Sequence, residues 1–128
     1  MVGQIKTKRW DEPREADDGT RILVTRFRPR GLPKSQETWD QWNHDVAPSP
    51  TLVSAYKGKK GLPLTWDVYR ASYLREMKAQ GPAIEALARR VAEGESITLL
   101  CSSACLRESR CHRSLLRELL ERRVGDNR

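Results

Sequence analysis

A chain of 128 residues and 14.7 kDa has room for one compact domain, which excludes a large multidomain enzyme. Apolar residues at 38%, charged residues at 32% and a mean hydropathy of -0.72 allow only a small core, and no apolar run approaches the roughly 20 residues needed to span a bilayer. The net charge of +7 favours anionic partners, and three cysteines imply no disulfide framework.

The chain opens Met1-Val2-Gly3-Gln4-Ile5-Lys6-Thr7-Lys8, with charge but no apolar stretch behind it, so no secretory signal is expected and the cytoplasm is the expected location. Gly3 to Trp10 is the first strand candidate and runs into the turn-rich, acidic segment Asp11 to Gly19. Arg21 to Arg26, with Ile22, Leu23 and Val24 in series, reads as a strand covered on both faces and ends at Pro29 and Gly31. Thr38-Trp39-Asp40-Gln41 has the form of a capping box, and Trp39, Trp42 and Val46 recur at helical spacing, which predicts a helix over about 38–46. Ser49 followed by Pro50 starts a short helix, and Tyr56 to Pro63 is loop.

Thr65 is the expected N-cap of a helix whose Trp66, Tyr69, Tyr73 and Met77 form one stripe, read as core rather than as a cofactor box. Gly81-Pro82 opens another helix with Ile84, Leu87, Ala88 and Val91 inward and Gly94 as its stop. Ser96 to Cys101 is the clearest strand. The last helix sets Cys111, Leu115 and Leu119 beside His112, Leu116 and Leu120. Short strands alternating with helices predict an α/β fold: a single small domain with a mostly parallel sheet flanked by helices. Strands near 21–26 and 96–101 are expected to be parallel neighbours, placing the segments that leave them at one sheet edge, where ligands collect in such folds.

Two groups of candidates fall at that edge. Between Asp18 and Glu37 there is no carboxylate, so Arg26, Arg28 and Arg30, alternating along an extended segment, are candidate anion ligands together with Arg113 at the start of the last helix. The competing reading pairs these arginines with Asp17, Asp18 and other nearby carboxylates. Cys101, Cys111 and His112 are the candidate catalytic residues, as thiolate nucleophiles and a near-neutral acid or base; core cysteines and a structural histidine are the alternative.

Cys101-x5-Arg107 has the spacing of a phosphatase-type loop, but Ser102-Ser103-Ala104-Cys105-Leu106 lacks the usual glycine, and Cys111-x5-Arg117 repeats the spacing inside a helix. Cys101, Cys105, Cys111 and His112 are soft donors at irregular spacing, and adjacent Cys111 and His112 would diverge by about 100° on a helix, so neither a metal nor any other cofactor is assigned. His44 is expected to face solvent.

Taken in order, Asp17-Asp18-Gly19, Arg26-x-Arg28-Pro29-Arg30-Gly31, Trp42, Ala47-Pro48-Ser49, Trp66 with Tyr73, Leu99-Leu100-Cys101 and Cys111-His112-Arg113 resemble the YeaO-like family of domains of unknown function (number 488), over about residues 4–122. The resemblance implies a compact α/β domain in a small cytosolic prokaryotic protein and no established reaction. The chain departs from the family at Arg28, where tryptophan is usual, and at Cys105, which is extra. Two main functional classes stay open: a small-molecule site in which arginines hold phosphate or carboxylate beside Cys/His chemistry, and a basic nucleic-acid or interaction module without catalysis. A thiol redox or metal sensor is a third.

Overall fold

The computed structural model describes residues 2–59, 61–102 and 110–126. Its centre is a four-stranded, all-parallel sheet of β1 (Ile5–Arg9), β2 (Thr20–Leu23), β3 (Gln41–Trp42) and β4 (Ile97–Cys101), in the order β1-β4-β2-β3. β4, the strand clearest in the sequence, is central and buried at every position, with Ile5 opposite Ile97 on one side and Thr20 opposite the same residue on the other. Among the described residues four α-helices complete the fold: α1 (Pro50–Tyr56), α2 (Trp66–Lys78), α3 (Gly81–Ala92) and α4 (His112–Asp126). Among the described residues no helix is long and apolar enough to cross a membrane.

Side-chain alternation gives the sheet two different faces. Ile22, Val24, Ile97 and Leu99 join the apolar cluster with Leu52, Tyr73, Ile84, Leu87, Val91, Leu116 and Leu120 from the helices. The intervening positions carry Lys6, Lys8, Arg21 and Thr98 beneath the 10–19 loop. There the fully buried Asp18 accepts from Lys6 Nζ at 2.7 Å, Lys8 Nζ at 3.0 Å, Arg21 Nη1 at 2.9 Å and the Glu15 N–H at 3.1 Å. Asp17 and Asp18 therefore pair with Lys6, Lys8 and Arg21, not with the arginines of the 26–30 segment.

The helix starts reflect local chemistry. The Ser49 hydroxyl accepts from the Leu52 N–H ahead of Pro50, and Thr65 accepts from the Val68 N–H. Ile84, Leu87, Ala88 and Val91 all face the core, and Gly94 ends α3 with a φ of 112°.

The helix expected over 38–46 does not form. Residues 41–42 are strand β3 and 44–46 a single 3-10 turn. The exposed edge of β2 decides this, because its peptide groups need partners that a helix cannot supply. Asp40 N–H donates to the Arg21 carbonyl at 2.8 Å, the Asp40 carboxylate accepts from Arg21 N–H at 2.9 Å, and Asn43 N–H donates to the Leu23 carbonyl at 2.8 Å. The Thr38 hydroxyl donates to the Trp10 carbonyl instead of capping a helix. His44 is exposed as expected, edge-on to Trp42.

Candidate functional site

Because the strands are parallel, β1, β4 and β2 end at one edge, where Trp10 N–H donates to the Cys101 carbonyl and Val24 N–H to the Leu100 carbonyl. The exits of β2 and β4 share that edge, as the sequence predicts, and residues 25–30, Cys101, Ser102, α1 and the start of α4 line an open cleft of about 1320 Å³. Arg26, Arg28 and Arg30 line it together with Cys101, Cys111 and His112.

Cys101 closes β4 and Cys111 immediately precedes α4, and both are buried thiols. The Cys111 thiol donates to the Cys101 sulfur at 3.1 Å. His112 Nδ1 lies 3.9 Å from Cys101 Sγ and 4.0 Å from Cys111 Sγ. Its Nε2 is 2.7 Å from the Val24 carbonyl oxygen, which can only accept, so Nε2 carries a proton and Nδ1 is the ring atom turned to the sulfurs, with its lone pair toward them in the neutral tautomer. The three donor atoms fall within 4.8 Å of one another. The expected divergence of Cys111 and His112 is thus overturned: Cys111 sits outside the first helical turn, where the helical rotation between neighbours does not apply.

The arginines separate. Arg26 donates to the Pro48 and Ala47 carbonyls, bracing the β2 exit against the start of α1. Arg28 meets Glu37 at 2.6 Å, donates to the Leu32 carbonyl at 2.7 Å and lies 5.7 Å from the Trp39 ring centroid. The carboxylate that ends the acid-free run is therefore the partner of Arg28, and the expectation that these arginines lack a local counterion fails there. Arg30 is exposed and makes no hydrogen bond or ion pair among the described residues. Arg113 is not among the described residues lining the cleft. It is 4% exposed, its Nε and Nη1 make no hydrogen bond among the described residues, and its charge helps hold the Glu12 carboxyl below its ordinary range, behind the stronger effect of the Arg9 N–H.

A family model described as the active DUF488-N3 subclade matches residues 5–124. The chain is 34% identical over 99 residues to the uncharacterised protein YeaO of Escherichia coli K12, covering 77% of this chain and 83% of that protein. It belongs to the YeaO-like DUF488 family. Uncharacterised proteins Mb3100c of Mycobacterium bovis and Rv3073c of Mycobacterium tuberculosis are each 29% identical over 120 residues, spanning 94% of this chain and 96% of theirs. No solved structure gives a significant match.

In this DUF488 protein the cleft also recruits residues that no sequence motif singled out. Lys57 and Lys59 follow α1, and Arg110 precedes Cys111. Tyr56 and Tyr69, stacked at 4.1 Å, and Trp10 add aromatic wall. The available signal was Lys57-x-Lys59 behind a short Pro-started helix; nothing in the sequence brought it to this edge. Cys105 and Arg107, and with them the Cys101-x5-Arg107 pattern, lie outside the described residues, while Arg117 sits on α4.

The sulfur spacing sets an expected result for labelling. With chelator present, native protein should take up one alkyl group across Cys101 and Cys111, because the first adduct occupies the space beside the other sulfur 3.1 Å away. Peptide mapping by mass spectrometry reads this directly. Rapid double labelling of the two residues would contradict the geometry.

Proposed function

We propose that this protein binds a small anion, a phosphate or carboxylate compound, in the cleft at the carboxyl edge of its sheet, with Cys101, Cys111 and His112 supplying chemistry at the floor. One observation carries the reading: the described lining includes Arg26, Arg28, Arg30, Lys57, Lys59 and Arg110 and no aspartate or glutamate. A concave, one-signed surface concentrates anions, and planar guanidiniums suit phosphate and carboxylate. The thiol and imidazole atoms give such an anion something to meet besides charge. The description of the matched family as an active subclade supports a catalytic role. A cytoplasmic location suits close thiols, which that compartment keeps reduced.

Arg30 is the informative position, because its replacement removes a cation without breaking an ion pair within the described structure. A charge-assisted hydrogen bond contributes about 1.5–3 kcal/mol, so Arg30→Ala should weaken phosphate binding by roughly tenfold to a hundredfold with the melting temperature unchanged. Isothermal titration of wild type and variant with phosphate, and separately with a single-stranded oligonucleotide, tests this. Phe27, 67% exposed on the same lining between Arg26 and Arg28, is the observation that favours a nucleic-acid module, since an exposed ring among arginines can stack a base. Absence of phosphate binding with a steep salt slope for the oligonucleotide would replace the small-anion reading by that one.

A further inference from the structure

We propose that Cys101, Cys111 and His112 form a binding site for one borderline-soft divalent cation, zinc above all, at the floor of the cleft. The inference rests on the reading of the cleft as the functional site and names the cofactor of that site.

Three observations converge. The donors are two thiol sulfurs and an imidazole nitrogen, the set that zinc takes most readily. Their spacing fits an ion: a point equidistant from atoms 3.1, 3.9 and 4.0 Å apart lies about 2.2 Å from each, against roughly 2.3 Å for Zn–S and 2.0–2.1 Å for Zn–N. An ion seated slightly above the plane of the three atoms reaches all of them with shifts of a few tenths of an ångström. Finally, His112 is oriented as a ligand. Its Nε2–H is fixed on the Val24 carbonyl at 2.7 Å, which leaves Nδ1 turned to the sulfurs, and an outer partner of this kind is the usual companion of a metal-bound histidine.

The backbone that holds these atoms is supported on both sides. Cys101 ends the fully buried central strand, and His112 begins a helix that packs through Leu115, Leu116 and Leu120 into the core. Among the described residues the set has three donors, and all three line the cleft. An ion held by this set would therefore stand at the wall of the cleft, within reach of a bound anion. Two thiolates neutralise the ion, so the cleft keeps its positive charge from the arginines and lysines.

The test uses the full chain, reduced and freed of metal by chelator under anaerobic conditions. Zinc is added in competition with a chromophoric chelator, and cobalt(II) is added separately as a spectroscopic probe. Expected are one equivalent of zinc per chain and, with cobalt, sulfur-to-metal charge-transfer absorption together with the strong visible bands of a tetrahedral ion. Cys111→Ser and His112→Ala should each weaken zinc binding by more than roughly a hundredfold, at least the loss known for outer-shell changes. Circular dichroism identifies any variant that fails to fold, and His112→Gln, which keeps a polar side chain but removes the imidazole donor, then serves in its place.

Zinc uptake unchanged by both substitutions, or cobalt spectra lacking thiolate charge transfer, overturns the site. Phosphate titration of the metal-free and zinc-loaded protein separates this proposal from the reading beneath it. Anion binding without metal uptake leaves the cleft standing and removes the ion. Metal uptake without anion binding supports the ion and removes the anion cleft.

Discussion

Asp18→Asn should destabilise the protein by about 3–5 kcal/mol, the range for removing one partner of a buried ion network, and lower its melting temperature by roughly 10–20 °C. Asp18 is fully buried and faces Lys6, Lys8 and Arg21 at 2.7, 3.0 and 2.9 Å, with Lys8 and Arg21 themselves buried. Asparagine keeps the shape but leaves three cations around a neutral group. Burial alone would raise the Asp18 carboxyl, but hydrogen bonds from Lys6, the Glu15 N–H, Lys8 and Arg21 outweigh it and hold the group well below the ordinary carboxylate range.

That lowered pKa fixes the sign of the pH dependence. A carboxyl whose folded pKa lies below its unfolded value adds stability that is complete above the unfolded value, near 4, and is lost as the pH falls toward the folded one. Wild-type stability should therefore drop below about pH 4, and Asp18→Asn should lose the share of that slope that one proton contributes. The rest of the slope comes from Glu12, Asp17 and Asp40, which are also lowered, and from Glu95, held down to about 2 chiefly by its hydrogen bonds from Arg90, against the opposing effect of its burial. Urea unfolding from pH 2 to 7 reads both quantities. Equal slopes in wild type and variant would show that Asp18 is not among the responsible groups.

Gly19→Ala should cost about 2–5 kcal/mol, combining a left-handed backbone penalty of about 1–2 with an overpacking penalty of about 1–3. Gly19 has a φ of 63°, and a Cβ there would stand 2.1 Å from the Ser96 carbonyl oxygen. That oxygen accepts the Thr20 N–H at the point where β2 joins β4, so the chain cannot retreat without opening the ladder. Gly31→Ala is the control: its φ is 70°, yet no atom lies within 4 Å of the added carbon, so only the smaller backbone penalty of about 1–2 kcal/mol applies. Thermal unfolding of the two variants separates close packing from backbone strain, and equal losses would mean that the approach to Ser96 relaxes freely.

The parts of the fold that the sequence revealed are those whose burial repeats along the chain. The run Ile97 to Cys101 has no polar position except Thr98, and Ile84, Leu87, Ala88 and Val91 keep one helical stripe, so β4 and α3 can be read directly. Residues 38–46 misled because a local cap pattern competes there with the unpaired edge of β2, and the partner that decides the matter is about 20 residues away.

Much of the candidate site was legible too, since parallel strands put the residues after β2 and β4 on one edge. Side-chain direction stayed hidden. Glu37, one residue past the acid-free run, captures Arg28, and Arg113 lies off the cleft lining. Starting α4 one residue later than Cys111 turns an awkward neighbour pair into adjacent donors.

The strand order β1-β4-β2-β3 also has a temporal side. Two of the sheet's three pairings belong to β4, and the partners of its Ile97 lie 92 positions earlier for Ile5 and 77 earlier for Thr20. During synthesis β1 has no strand to pair with, and β2 has only the two-residue edge strand β3, until residues 97–101 leave the ribosome. Closing such long loops is slow and exposes strand edges meanwhile, so nascent chains halted before Ile97 should remain protease-sensitive and draw on chaperones, whereas chains extended through α4 should close in one cooperative step.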